Sequence, residues 1–281
     1  MTQRNVVVDV FTDTPLQGNQ LAVFTDARGL GEETMQRLAL EIGFSETVFV
    51  LPPEGGGHVR VRIFTPRAEL RFAGHPILGT AFVLAAPLQV GVIDVETGSG
   101  VVPVVLERDE SGRLVFGRMT QPVPTVAAVA DTDVLFAGLG VAASQLPVEQ
   151  YDNGVQHIFV GLASAADVGL LRPDAEALAG FAGTSGVSCF AGAGSRWKVR
   201  MFAPGLGIVE DAATGSAAGP LACHLARHGL IEWGTEIEIE QGEEIDRPST
   251  LYARAEGGGG LIDNVEVGGS AVVVARGEFR L

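Results

Sequence analysis

A mixed α/β fold of two similar halves is what the sequence predicts, and three observations predict it. Two glycine-headed helical patterns recur, one opening at Gly74-His75-Pro76 and the other at Thr214-Gly215-Ser216. Short Val- and Ile-rich runs lie along the whole chain, bounded by turn residues. The 3.6-residue apolar period occurs in too few places for regular βαβ units, which argues against a doubly wound sheet. At 281 residues the chain can bury a sizeable core and has room for two domains.

In chain order, residues 6–11 read as a strand and 21–24 as its partner, with Pro15-Leu16-Gln17-Gly18-Asn19 as the turn. Met35, Leu38, Ala39 and Ile42 mark one face of a helix over 31–42, which Gly43 ends. Strands follow at 45–51, with Glu46 at the entrance, and at 59–64, where Val and Ile alternate with Arg. The first glycine-headed helix then shows Ile77, Leu78, Ala81 and Leu84 on one face, and Pro76 suits its first turn. Strands are expected near 91–96, 101–107 and 113–118, and 121–124 reads as a linker.

The second half has the same texture. Helices are expected near 131–138 and 173–180, and strands near 155–162, 186–190 and 196–202. The second glycine-headed helix should begin near 216–219, so that Pro220 falls in its first turn, where a missing N–H costs nothing. Strands at 235–241 and 250–255, a flexible turn at 256–260 and a last strand at 272–275 complete the chain.

Composition narrows the function classes. A net charge of −15 disfavours nucleic acid and anionic membrane surfaces as partners. Any anion must therefore be held by local geometry. No apolar run approaches the length of a membrane span. The opening residues lack a signal-peptide pattern, and two cysteines are too few for a disulfide framework, so a cytoplasmic setting is expected.

Several catalytic motifs are missing. Ser216 lies in Thr-Gly-Ser-Ala-Ala-Gly rather than a nucleophile elbow, and neither a P-loop nor a dinucleotide fingerprint is present. His224 and His228 stand four apart on one helix, but no third ligand is apparent, so they read as a solvated face and no metal is expected. What remains is Glu46, His75, Asp211 and Ser216 beside two helix tips. Bare N–H groups at such tips attract a carboxylate. If both tips face one cleft, a small acid could be held there while a carboxyl group moves a proton on an adjacent carbon.

Ser45-Glu46-Thr47, Phe72-Ala73-Gly74-His75-Pro76 and Glu210-Asp211-Ala212-Ala213-Thr214-Gly215-Ser216 resemble the phenazine biosynthesis F proteins, relatives of diaminopimelate epimerase. Gln156-His157-Ile158-Phe159, Cys189-Phe190-Ala191-Gly192 and Arg247-Pro248-Ser249 carry the same resemblance, which runs along nearly the whole chain. It implies two α/β halves, each a curved mixed sheet around a central helix: residues 1–119, joined by a last strand at 268–281, and residues 120–267. It also implies a cofactor-free homodimer that isomerises trans-2,3-dihydro-3-hydroxyanthranilate by moving a proton from C3 to C1. By that resemblance Glu46 carries the proton, while His75, Asp211 and Ser216 surround the substrate and N–H groups near Gly74 and Gly215 hold its carboxylate. Gln20 and Arg71 depart from the pattern, standing where prolines are expected. Two alternatives stay open. One is an epimerase or isomerase of another small acid, whose racemase form would need thiols at the helix tips. The other is a non-catalytic binder of small acids.

Overall fold

The first half begins with β1 (Thr2–Val10) and β2 (Asn19–Phe24), followed by α1 (Glu32–Ile42), β3 (Glu46–Leu51), β4 (Val59–Phe64) and the two-residue β5 (Glu69–Leu70). Helix α2 (Gly74–Leu88) comes next, then β6 (Val92–Thr97), β7 (Gly100–Arg108) and β8 (Leu114–Thr120). This is a computed structural model, and it describes residues 2–182 and 185–281. The second half runs β9 (Thr125–Ala128), α3 (Thr132–Leu139), β10 (Glu149–Asp152), β11 (Gln156–Gly161), α4 (Ala165–Leu170) and α5 (Ala175–Ala182). It continues with β12 (Gly186–Ala193), β13 (Arg196–Ala203), β14 (Ile208–Asp211), α6 (Gly215–Arg227) and β15 (Glu236–Gln241). Strands β16 (Ser249–Gly258), β17 (Leu261–Gly269) and β18 (Ala271–Arg280) close the chain.

The pairings state one pattern twice. In the first half β1 pairs antiparallel with β2, β2 parallel with β3, β3 antiparallel with β4, β4 parallel with β6, and β6–β7–β8 form a meander. In the second, β10, β11, β12, β13, β15, β16 and β17 repeat those directions in that order. Strands β8 and β17 then pair with each other, so a single curled sheet runs through both halves. Two strands cross over: β9, which follows β8, pairs with β10, and β18, which follows β17, pairs with β1.

Each half curls around one helix. Residues 74–83 of α2 and 215–226 of α6 are buried on every face. A helix with no polar face must be enclosed, and small residues along it let strands approach closely. Accordingly α2 lies against β1, β2, β6 and β8, and α6 against β11, β15, β16 and β17. The pieces at the periphery pack separately: α1 with Phe24, Phe49 and Phe64, and α3–α5 with the outer face of β11 and β12.

Most expected elements are present, including the Gly43 cap at φ +70°. Helix α6 starts at Gly215, one residue early, which places Pro220 in the second turn rather than the first. Proline there leaves the carbonyl of Ser216 without its helical donor, and Asn153 Nδ2 supplies one at 2.9 Å. The turn expected at 256–260 shrinks to Gly259-Gly260, both with positive φ, a tight hairpin turn that lets β16 run on to Gly258.

Candidate active site

The two central helices meet head to head. A Cβ placed on Gly74 would lie 2.4 Å from the carbonyl carbon of Gly215, and one on Gly215 would lie 3.0 Å from the backbone N of His75. Only glycine permits that approach. Neither helix has a side chain capping its N-terminus, and neither carries an acid in its first turn. The positive ends of both dipoles therefore converge on one place.

Glu46 is the first residue of β3, and its side chain turns toward that junction, 7% exposed. Its Oε2 lies 3.6 Å from His75 Nε2, and both atoms are buried without a hydrogen-bond partner. Buried polar atoms in this state are rare, and a pair of them facing one pocket marks where a ligand group would bind. Asp211, the last residue of β14, is held from three directions. Asn19 Nδ2 donates to its Oδ1 at 2.7 Å, Thr214 Oγ1 to its Oδ2 at 2.7 Å, and Gln241 Nε2 to its backbone carbonyl at 2.8 Å. Asn19 also reaches the Ala213 carbonyl and stands 3.3 Å from His75 Nδ1, while Ser45 donates to its amide oxygen at 3.1 Å. On the other side, His157 Nε2 is 3.0 Å from Ser216 Oγ.

Electrostatics follow from this burial. Loss of water pushes the Glu46 carboxyl up to about 8, with the Asp211 charge adding to the effect and Ser45 opposing it. Asp211 is also raised by burial, to about 6, against its hydrogen bonds from Thr214 and Asn19. The two carboxyls titrate as a unit. Burial lowers His75 to about 3 and His157 to about 4, so both imidazoles are neutral near pH 7. The site thus offers a carboxyl able to take and return a proton, neutral imidazoles, and two helix tips for an anion.

All the site residues expected from the sequence, Glu46, Gly74, His75, Asp211, Gly215 and Ser216, line one pocket. Asn19, Gln241 and His157 were not among them. His157 stands in the Gln156-His157-Ile158-Phe159 run that marks the resemblance, and Asn19 was assigned only to a turn, where an Asn needs no other explanation. Much of the rest of the wall, including Val155, Met201, Ala203, Leu206 and Ile208, is apolar. The free space inside is about 20 Å³, room for about one water.

Other expectations fall away from this site. The reading of His224 and His228 as a solvated face is corrected: His224 is fully buried, because β10 and β11 cover it with Tyr151 and Phe159. A third group is present as well, since Glu149 Oε2 lies 3.2 Å from His224 Nδ1 and 3.0 Å from His228 Nε2. Those three side chains have the spacing of metal ligands. Arg227 Nη1, 3.2 Å from the same oxygen, already supplies that carboxylate with a cation. Cys189 and Cys223 are buried, each thiol pushed up to about 12 by desolvation, and neither borders the pocket. Arg71 turns to the surface, donating to the Gly98 carbonyl at 2.9 Å.

A model of the phenazine biosynthesis-like protein family matches residues 8–277. The chain is 52% identical to a trans-2,3-dihydro-3-hydroxyanthranilate isomerase of Pseudomonas aeruginosa over 99% of both chains. It is 50% identical to the enzyme of that name from Pseudomonas chlororaphis, over 98% of this chain and 99% of that one. Among solved structures, a phenazine biosynthesis protein of the PhzF family from Bacillus anthracis superposes with a TM-score of 0.86 at 26% identity, covering 100% of both chains. With its doubled fold and its pocket between two glycine-headed helices, the chain belongs to the phenazine biosynthesis-like protein family.

Proposed function

We propose that this protein is an isomerase of trans-2,3-dihydro-3-hydroxyanthranilate, acting in phenazine biosynthesis by moving a proton from C3 to C1 of the ring. One observation carries the reading: a buried Glu46 carboxyl faces the junction of two uncapped helix tips. The identity of 52% to an enzyme so named, along essentially the full length of both chains, supports the choice of substrate.

In this reading the substrate carboxylate lies against the backbone N–H groups near Gly74-His75 and Gly215-Ser216. Asp211 accepts from the substrate amine, and His75 and Ser216 meet the remaining polar groups. The Glu46 carboxylate removes the C3 proton. The electron pair spreads through the ring's unsaturation toward C1 and the carboxylate, where the helix dipoles stabilise the charge. The protonated Glu46 then delivers its proton to C1. A base whose pKa lies near the working pH suits both steps. A racemase would need an ionisable thiol at each tip, and the tips hold His75 and Ser216 instead.

Independence from any cofactor, homodimeric assembly, cytoplasmic location and the division into 1–119 with 268–281 and 120–267 belong to the same proposal. The pairing of β18 with β1 supports that division. The test is incubation of the purified protein with trans-2,3-dihydro-3-hydroxyanthranilate, following loss of its ultraviolet absorbance. Turnover by the wild type that disappears in Glu46→Gln is expected. A wild type inert toward this compound would overturn the substrate assignment.

A further inference from the structure

The repeated pairings allow the two halves to be compared position by position. Leu21 stands opposite Glu46 and Thr47 opposite Phe64 in the first half. His157 stands opposite Gly186 and Val187 opposite Phe202 in the second. Glu46 therefore corresponds to Gly186, and His75 at one helix tip to Ser216 at the other. The second half has no carboxylate where the first has its proton carrier. The space is taken by the His157 ring, since a Cβ on Gly186 would lie 3.0 Å from His157 Nδ1.

His157 is 1% exposed, its Nδ1 is buried with no hydrogen-bond partner, and its Nε2 faces Ser216 Oγ at 3.0 Å. A neutral imidazole carries one proton, on one nitrogen or the other. A proton on Nδ1 would be a buried, unpaired N–H, a group that folded proteins almost never tolerate. A proton on Nε2 leaves only a bare lone pair at Nδ1 and makes Nε2–H the donor to Ser216. Ser216 Oγ has no other side-chain or backbone partner among the described residues, so its own proton is left to point into the pocket.

We propose that His157 is a positioning residue that fixes Ser216 as a hydrogen-bond donor, so that the side chain at the α6 tip recognises an oxygen of the substrate and not its amine. This rests on the functional reading above and sharpens it. The polar work of the site is divided among side chains: Glu46 and Asp211 accept protons, and the His157–Ser216 pair donates one. The ligand class that fits is an acid with a hydroxyl or enolate oxygen beside the reacting carbon.

Two measurements test the assignment. In the imidazole ¹⁵N spectrum of labelled protein at pH 7, the signal lost in His157→Gln should report a proton on Nε2. This readout does not depend on turnover, and a proton on Nδ1 would overturn the proposal. In the assay with trans-2,3-dihydro-3-hydroxyanthranilate, His157→Leu should lower kcat by about 10²-fold with a smaller change in KM, as expected when a group near the reacting atoms loses its orientation. His157→Gln, which retains an N–H near the Nε2 position, should recover most of that loss. Adding His157→Leu to Ser216→Ala should cost little more than Ser216→Ala alone. Additive losses, or no recovery by Gln in a folded variant, would show a packing role and overturn it. An inactive wild type would sink the substrate assignment alone, leaving the spectrum to decide on His157.

Discussion

Glu46 owes its raised pKa to a conflict between burial and charge. A carboxyl raised to about 8 beside a second raised to about 6 holds its proton well above the ordinary range. Glu46→Gln keeps the size but cannot accept a proton, so turnover should fall by about 10²–10⁴-fold, measured by steady-state kinetics. Because the base must start as a carboxylate, wild-type kcat/KM should climb about tenfold per pH unit below about 8. Asp211→Asn removes the neighbouring charge, and its residual activity should reach a plateau at lower pH. Stability has the opposite dependence. The folded protein binds the Glu46 proton more tightly than the unfolded chain does, so its contribution is complete below about 4.5 and is lost as pH rises through about 8. Thermal melts should therefore show wild type losing more stability than Glu46→Gln between pH 5 and pH 8. That Glu46, His75, Asp211 and Ser216 share one pocket was legible only from taking them together with the two helix tips, because each alone has an ordinary structural reading. Asn19 and Gln241 were not, because what makes them matter is the partner each meets across the chain, and spacing does not record that.

At the scale of elements, the junction of α2 and α6 depends on missing side chains. Gly74→Ala would drive a methyl into the backbone of Gly215. The helix tips would have to part, at a cost of about 1–3 kcal/mol for overpacking, and kcat/KM should fall further than the melting temperature alone would suggest. Measuring both in the same preparation checks this. Asn153 has a different task, since it replaces the donor that Pro220 removes from α6. Asn153→Ala should lower stability by about 1–3 kcal/mol in urea titration, the penalty of an unpaired buried carbonyl. The long strands and both central helices were readable because apolar period and glycine punctuation agree in them. The polar β10 and the two-residue β5 had too few residues to show a period, and β17 alternates Asn264 and Glu266 with Val265 and Val267 behind a glycine run that reads as loop. His224 marks the limit of a helical wheel. Spacing puts two histidines on one face but does not tell which strands cover it.

For the whole molecule, the pocket is almost filled by its own walls, with about 20 Å³ free. A ring acid is much larger than one water, so in the proposed reaction the walls must move apart to admit it. A substrate-like carboxylate at 100 times its dissociation constant should stabilise the fold by about 2.7 kcal/mol, raising the melting temperature by about 5–10 °C. Gly215→Ala should abolish most of that rise, because the added Cβ meets Phe11 at 2.9 Å and His75 N at 3.0 Å. An equal rise in both proteins would place the anion elsewhere. That the chain forms two similar halves was visible from its two glycine-headed helices. How they join was not: β8 meets β17 from far away in sequence, and no local pattern specifies which distant strand becomes a neighbour.

The crossing of β18 to β1 has a consequence for how the protein is made. On the ribosome, β1 emerges long before its outer neighbour β18, with register pairs as distant as Thr2 and Arg280. Until β18 arrives, β1 is paired only with β2, and its other edge, along a strand of nine residues, stays open. Such an edge is a template for any free strand, including the same segment of another nascent chain. Arg4 and Asp9 place charge along β1, which blunts mispairing during the wait. Strand β18 is thus a closing seam, and the sheet edge of the first half is completed only once β18 has been made.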